Sequence, residues 1–180
     1  MGWYKNPLNE TRKELILELI SNCPELVDAL KADKLEEALD IVMHENHSRD
    51  LFYDNRAAKS IFIKFLYESG INIFDHMNSV PPYAFWDEVL SNDFVIPDSV
   101  KDIELCAFTN SNLDHIPLTK NSCVEAIYQD AFSSTNIHGD VELPDALEYL
   151  EASAFYNTEV TSVLIPKECQ VEDYDNYDKR

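Results

Sequence analysis

The sequence predicts an α+β protein in which an N-terminal helical bundle caps a short C-terminal β-solenoid. Apolar residues recur at helical spacing over the first half of the chain. In the second half, Ala-Phe pairs that end at Phe108, Phe132 and Phe155 recur at a nearly constant interval, and short β-like runs end in Pro. A period in the low twenties is typical of a solenoid in which every turn is one coil. We expect a helical domain with its connector over 1–92, three coils over 93–169 and an acidic tail over 170–180.

Four helices are predicted in the first half. They cover residues 9–22, a segment that begins at Pro24, a segment that begins at Asp33, and residues 49–69. Proline suits the first turn of a helix, and Gly70 suits the end of the fourth one. Short loops between these helices predict a compact antiparallel bundle. Residues 72–92, which hold Pro81-Pro82 and several aromatic side chains, are predicted to connect the two halves.

Three segments of the second half align with one another. In each, a four-residue run precedes an Ala-Phe pair: Val100 to Ile103 before Phe108, Val124 to Ile127 before Phe132, and Leu147 to Leu150 before Phe155. A second set of landmarks ends the β-like runs, at Ile96-Pro97, Leu143-Pro144 and Ile165-Pro166. The two sets agree on the period, so the segments are interpreted as repeats.

These residues resemble the BspA-like class of leucine-rich repeats, whose units read as a strand ending in Ile-Pro, then Ser-Val, then Ile, then Ala-Phe. The resemblance covers about residues 94–169 and is clearest from Ile96 to Phe108. It implies a leucine-rich-repeat-type solenoid that recognises proteins and carries no fixed catalytic residues. The sequence departs from the family where Pro117 falls inside a strand, and where Glu104, Tyr128 and Glu151 replace the usual Gly.

Aligning the predicted strands assigns side chains to columns that run along the solenoid. Two inward columns are Phe94, Ile116, Val141, Val163 and Ile96, Leu118, Leu143, Ile165. Phe108, Phe132 and Phe155 are expected to stack on the opposite side of the coil. Coils advance about 4.8 Å each, so neighbours in a column nearly touch. The outward columns are Asp93, His115, Asp140, Ser162 and Val95, Pro117, Glu142, Leu164.

The outward columns supply the predicted partner-binding residues, which are Asp93, His115, Asp140, Glu142, Ser162 and Leu164. An imidazole between two carboxylates suits a cation site or a pH-sensitive contact. A solvated charge ladder across the strands is the alternative interpretation. The last predicted strand, over residues 160–165, leaves backbone groups unpaired, which favours a protein partner or a homodimer through this C-terminal edge.

The charge of the chain bears on its partners. With 34 acidic and 14 basic side chains, the formal net charge is -20, and residues 96–180 hold 17 acidic against 5 basic side chains. Direct binding to nucleic acid or to an anionic membrane is therefore not expected, whereas a partner with a basic surface is favoured. Solubility is one explanation of the acidic excess, and mimicry of DNA phosphates is another.

No enzyme, cofactor or metal site is predicted. Three glycines leave no room for a glycine-rich phosphate loop, and no nucleophile elbow is present. His44 and His47 are spaced i, i+3, whereas the helical zinc motif needs i, i+4. The four cysteines form no CxxC pair, and without a signal peptide they are expected to be reduced thiols in a cytoplasmic protein.

The function predicted from the sequence is non-catalytic protein binding. The chain would act as an adaptor, or as a bacterial or phage-encoded inhibitor of a host protein. The alternative is an acidic DNA mimic that blocks a nucleic-acid-binding enzyme. The two roles differ in salt response, because a mimic loses affinity steeply as salt rises and an apolar recognition surface does not.

Overall fold

The computed structural model describes residues 77–172 without interruption. Before them it describes residues 17, 24–35, 37, 38, 41, 62, 63, 65, 66 and 73–75. Contacts divide the chain into two compact units, Met1–His76 and Met77–Arg180. Within the described residues, no helix is both long enough and apolar enough to cross a membrane.

The first unit contains helix α1, which spans Pro24–Lys31 where the sequence predicts the second helix. Pro24 occupies the first turn, where a backbone N–H has no partner within the helix and its loss costs nothing. The buried face of the helix holds Leu26, Ala29 and Leu30. Apolar side chains three and four residues apart meet on one side of a helix, which explains why these three are buried together.

Helix α1 ends at Lys31, and two residues later Asp33 has a φ of 60°, in the left-handed region. The Asp33 N–H donates to the carbonyl oxygen of Leu30 at 3.3 Å, and the Lys34 N–H donates to that of Ala29 at 2.9 Å. These two bonds form a Schellman motif, which satisfies carbonyl groups that the helix leaves open. The third helix predicted to begin at Asp33 follows at once, since the Ala38 N–H donates to the Lys34 carbonyl oxygen at 2.9 Å.

Helical backbone also occurs at single described positions of the other predicted helices, at residues 17, 35, 37, 38, 41, 62, 63, 65 and 66. A short 3₁₀ turn follows at Ile73–Asp75. The rest of these helices lies outside the described residues, as do His44, His47 and Cys23. The helical bundle and its capping of the solenoid therefore stay predictions.

Short parallel strands organise the second unit. In chain order they are β1 (Ser79–Val80), β2 (Asp102–Ile103), β3 (Ala126–Ile127), β4 (His138–Glu142), β5 (Tyr149–Glu151), β6 (Glu159–Leu164) and β7 (Gln170–Glu172). Strands β1, β2, β3, β5 and β7 pair in that order into a five-stranded sheet, and β4 pairs with β6. Each coil contributes one strand to the larger sheet, so the described residues form a β-solenoid of about four turns.

Register places one apolar residue of each coil in a single inward column. The column holds Val80, Ile103, Ile127, Leu150 and Val171. The first four are buried, and Val171, on the last strand of the described part, is 51% exposed. β-Branched and leucine side chains fit this packed position, because the pleat of a strand directs alternate residues inward.

Phenylalanine side chains stack along another side of the coil, as the sequence predicts. Adjacent ring centroids lie 5.1, 5.3 and 5.5 Å apart, with interplanar angles of 8°, 3° and 10°. The stack contains the three predicted residues and one more, in the order Phe85, Phe108, Phe132, Phe155. The Phe108 N–H donates to the Ala131 carbonyl oxygen in the next coil at 2.8 Å, so backbone and side chains repeat together.

The chain turns sharply on both sides of Phe85, Phe108 and Phe132, and after Phe155. Residues two positions before or after the ring adopt left-handed backbone, with φ between 53° and 61°, at Tyr83, Asp87, Cys106, Asn110, Asp130, Ser134 and Asn157. Such backbone costs about 1–2 kcal/mol for a residue other than glycine. Bonds between coils offset that cost: the Cys106 N–H donates to the Gln129 carbonyl oxygen at 2.9 Å, and the Asn110 N–H to that of Ser133 at 2.9 Å.

The strands predicted from the Ile-Pro landmarks are correct only in the later coils. Strands β4 and β6 pair Val141 with Val163, in the predicted register. In the two earlier coils, residues 94–96 and 116–118 are not strands, although the Ile96 N–H donates to the Pro117 carbonyl oxygen at 2.8 Å. Pro117 has no N–H to donate to a ladder, which explains the interruption.

The solenoid is also longer than the three predicted coils. The predicted connector contributes β1 and Phe85, and the predicted tail begins with β7. Tyr83, in a turn at the Pro81-Pro82 corner, has a left-handed φ of 60°, as Cys106 does in the next coil. The Ala84-Phe85 pair, one repeat period before Ala107-Phe108, is the signal of this additional coil. Residues 173–180 of the predicted tail lie outside the described residues.

Phe132 tests the stack, because its side chain is 0% exposed between Phe108 and Phe155. We expect Phe132→Ala to lower the free energy of unfolding by about 3–5 kcal/mol, since the cavity cannot close within an aligned stack. Denaturant unfolding of the full chain measures the change. Tyr156→Ala, at a side chain 69% exposed, is the control and should change the value by less than about 0.5 kcal/mol. Equal values for both variants would contradict the stack.

Candidate functional site

The structure brings four of the six predicted partner-binding residues together. Strand register sets Asp140 opposite Ser162 and Glu142 opposite Leu164 on the β4–β6 pair. All four are exposed, and Leu164 keeps 63% of its surface. Asp93 is also exposed, on a loop of the first coil. Their role in binding stays a prediction.

Asp140 is the acid of this β4–β6 surface whose carboxylate accepts two side-chain hydrogen bonds. Its Oδ1 accepts hydrogen bonds from Ser162 Oγ and from Thr161 Oγ1, each at 2.7 Å. Both bonds favour the ionised carboxylate, so they hold the pKa of Asp140 below its usual value. Two hydroxyl groups of the next coil therefore stabilise the negative charge of the Asp140 carboxylate.

His115 contacts a different carboxylate from the two that the column predicted. Its Nδ1 lies 2.5 Å from Oδ1 of Asp114, the preceding residue, and this hydrogen bond is the largest cause of the lowered pKa of Asp114. His138 lowers that pKa further by its charge. Across the part of the chain that the structure describes, no group of three or more His, Cys, Asp or Glu side chains is placed to hold a metal ion.

A second surface, which the sequence analysis missed, lies along the five-stranded sheet. The residue after each inward apolar residue forms one column, Glu104, Tyr128, Glu151 and Glu172. Together with Tyr149 these side chains line an open groove of about 280 Å³. We call it the acidic–aromatic groove.

The two tyrosines of the groove form a tilted pair. The ring centroids of Tyr128 and Tyr149 lie 5.5 Å apart at an interplanar angle of 41°. Burial is the largest cause that raises the pKa of Tyr128, and the charges of Asp102 and Glu104 add to it. Both phenols therefore stay protonated near neutral pH, where they present hydroxyl groups and aromatic faces.

The hydroxyl of Tyr149 connects two glutamates of neighbouring coils. It donates to Glu151 Oε2 at 2.7 Å and lies 3.3 Å from Glu172 Oε2. The bond to Glu151 is the largest cause of the raised pKa of Tyr149, and burial and both carboxylate charges contribute. The electrostatic potential in the groove is therefore strongly negative, which favours binding of a cation.

Glu151 is the unusual residue of the groove. Its side chain is only 4% exposed, and its Oε1 is buried without a hydrogen-bond partner. Buried carboxylates are normally paired, because an unpartnered one loses its hydration without compensation. Glu151 therefore keeps an acceptor that the described residues of the chain do not use.

One signal in the sequence marks this groove. Glu104, Tyr128 and Glu151 are the three positions where the chain departs from the glycine that the leucine-rich-repeat pattern places after the Ile. All three occupy the same position of successive repeats. Strand register sets them in one column, with Glu172 next to Glu151.

Parallel coils of nearly constant length with a continuous phenylalanine stack define a β-solenoid of the leucine-rich-repeat class. The model of the BspA type leucine-rich repeat region matches residues 55–178 in six copies, and the chain belongs to this family. The resemblance drawn from residues 94–169 is thus confirmed and extended on both sides. No curated protein and no solved structure matches the chain. Leucine-rich repeat domains are generally non-catalytic modules of protein–protein interaction.

The hydrogen bonds from the hydroxyl groups around Asp140 predict how its pKa responds to substitution. Ser162→Ala removes one bond to the ionised carboxylate, so the pKa of Asp140 should rise towards its ordinary value. Carbon-13 NMR titration of the carboxyl carbon measures it, with Ser99→Ala, on an exposed turn, as the control. Because the folded pKa is lowered, the stability from this site exists above the unfolded pKa and is lost as pH falls through the folded value. An unchanged titration in the Ser162 variant would contradict the two-hydroxyl arrangement.

Proposed function

We propose that this protein is a non-catalytic protein-binding module that uses the acidic–aromatic groove as its recognition surface. The observation that carries the proposal is the groove itself, in which two tyrosines and three glutamates from successive coils converge. Tyrosine is enriched at protein interfaces, since its ring buries apolar area and its hydroxyl forms hydrogen bonds. Membership of a family of interaction modules supports the same role.

The charge of the solenoid indicates the chemistry of the partner. Residues 77–172 hold 17 acidic side chains and three lysines. One of those lysines, Lys101, is paired with Glu125. A basic surface is attracted to such a field and associates faster at low salt. The role we assign is that of an adaptor or inhibitor, and a bacterial or phage-encoded inhibitor of a host protein fits its acidity.

The acidic excess also supports the second candidate role, a DNA mimic that blocks a nucleic-acid-binding enzyme. Such a mimic presents carboxylates at a regular rise, as in the column that holds Glu104, Glu151 and Glu172. Tyr128 interrupts that column with an aromatic ring, which suits recognition of a side chain better than imitation of a phosphate row. Non-catalytic protein binding through the groove is therefore the favoured role.

Two matched variants test the position of the recognition surface. The first combines Glu172→Lys with Tyr128→Ala in the groove. The second combines Glu142→Lys with Leu164→Ala on the β4–β6 surface, so each reverses one exposed charge and truncates one exposed side chain. Tagged full-length protein captures partners from its native cell, and mass spectrometry quantifies them. We expect the groove variant to lose at least about tenfold of the captured partner, about 1.4 kcal/mol, and the second variant to keep it.

The opposite result would place recognition on the β4–β6 surface that the sequence predicts. If both variants capture as much partner as the unmodified chain does, the result would contradict binding through either surface of the solenoid. Repeating the capture between about 50 and about 200 mM salt separates the two roles. A DNA mimic loses most of its partner over this range, whereas a partner held in the groove by stacking as well as charge is retained in larger part.

A further inference from the structure

Resting on the proposed function, the geometry points to the acidic–aromatic groove as a pocket for a single arginine side chain of the partner. The guanidinium group lies over the Tyr128 and Tyr149 rings and donates hydrogen bonds to Glu151 and Glu172. Three steps support this assignment: the unused carboxylate oxygen, the arrangement of the two rings, and the size and charge of the groove.

The unused oxygen of Glu151 is the first step. Oε2 of this carboxylate accepts the Tyr149 hydroxyl, whereas Oε1 is buried without a partner, on a side chain 4% exposed. Aspartate and glutamate side chains are rarely buried to this extent. Those that are buried pair with a cation or accept several hydrogen bonds. A donor that enters the groove would supply the missing hydrogen bond and remove the cost.

The tyrosine pair is the second step. Ring centroids 5.5 Å apart leave no space for a group between the rings, so a ligand lies over their outer faces. A guanidinium stacks on such a face, where the ring quadrupole attracts a cation. Its fork of N–H groups then extends towards carboxylates at the edge of the ring, and Tyr149 places Glu151 and Glu172 there.

Size and charge are the third step. The groove of about 280 Å³ is slightly smaller than the ~300–1,000 Å³ of typical small-molecule pockets, which favours one long side chain. Its described lining holds three glutamates and no cationic residue. Arginine suits it better than lysine, because a planar guanidinium can stack on a ring and bind carboxylates at once, whereas an ammonium is a point charge.

The test uses the full-length chain and three short peptides that differ at one position. The peptides are acetyl-Gly-Ser-Xaa-Ser-Gly-amide, where Xaa is arginine, lysine or citrulline. Citrulline keeps the shape of arginine and removes its charge. NMR titration of the tyrosine ring signals measures binding. We expect a Kd of about 0.1–1 mM for the arginine peptide, with the lysine peptide several-fold weaker and the citrulline peptide at least about tenfold weaker.

Protein variants assign the binding to the groove. Glu151→Gln should weaken the arginine peptide at least about tenfold, and Tyr128→Leu should weaken it several-fold. Glu159→Gln, at an exposed side chain at the start of β6, removes the same charge away from the groove and should leave binding unchanged. Glu151→Gln should also keep or raise the melting temperature, by up to about 4 °C, because it removes a buried charge with an unpartnered oxygen. A purely structural Glu151 would instead lower the melting temperature.

Several results would overturn the assignment. Equal binding of the arginine and citrulline peptides would exclude charge recognition, and equal binding of arginine and lysine would exclude the stacked guanidinium. Equal loss in the Glu151 and Glu159 variants would show a nonspecific charge effect, and the absence of binding up to about 10 mM would exclude the pocket. Capture of the native partner by the groove variant is a separate measurement, so the arginine pocket can fail while the proposed function stands.

Discussion

Every feature of the solenoid depends on the contact between one coil and the next. A single coil cannot bury its own phenylalanine or pair its own backbone groups. The ring of Phe132 is covered by rings on both sides, and its N–H donates to the Ala154 carbonyl oxygen in the following coil at 2.8 Å. Stacking at about 5 Å and hydrogen bonding between strands require nearly the same rise. The two interactions therefore reinforce one another along the whole stack.

Because the coils share this rise, residues at equivalent positions of successive repeats become neighbours on the surface. Once the inward residues Ile127 and Leu150 are aligned, the residues that follow them are aligned as well. Tyr128 and Glu151 become neighbours although a whole repeat separates them in the chain. Their outward environment is free to vary, because the inward column and the phenylalanine stack already hold the coils together. The well-packed core thus keeps the coils folded although the groove contains an incompletely paired carboxylate.

The phenylalanine stack and the β4–β6 register were predictable, because both follow from residues that repeat at a constant interval. The part of each repeat that forms the main sheet was not predictable. Each coil has apolar residues on two sides, and the sequence predicts the continuous sheet on the side nearest the Ile-Pro landmarks. Hydrogen bonding decides between the two sides, and Pro117 lacks the donor that a continuous ladder requires there. The first coil was missed because Pro81-Pro82 indicates a loop, whereas in the structure it forms the corner after β1.

The sequence by itself determined the repeat class, the inward phenylalanines, the acidic character and the lack of a glycine-rich phosphate loop, since each depends on composition or on a fixed period. Only the tertiary structure decided which segments pair, where the stack extends, and that the departures at Glu104, Tyr128 and Glu151 form one groove. It also decided that His115 contacts Asp114. The physical reason is that a period defines which residues are equivalent, whereas burial and hydrogen bonding between coils define which of them meet.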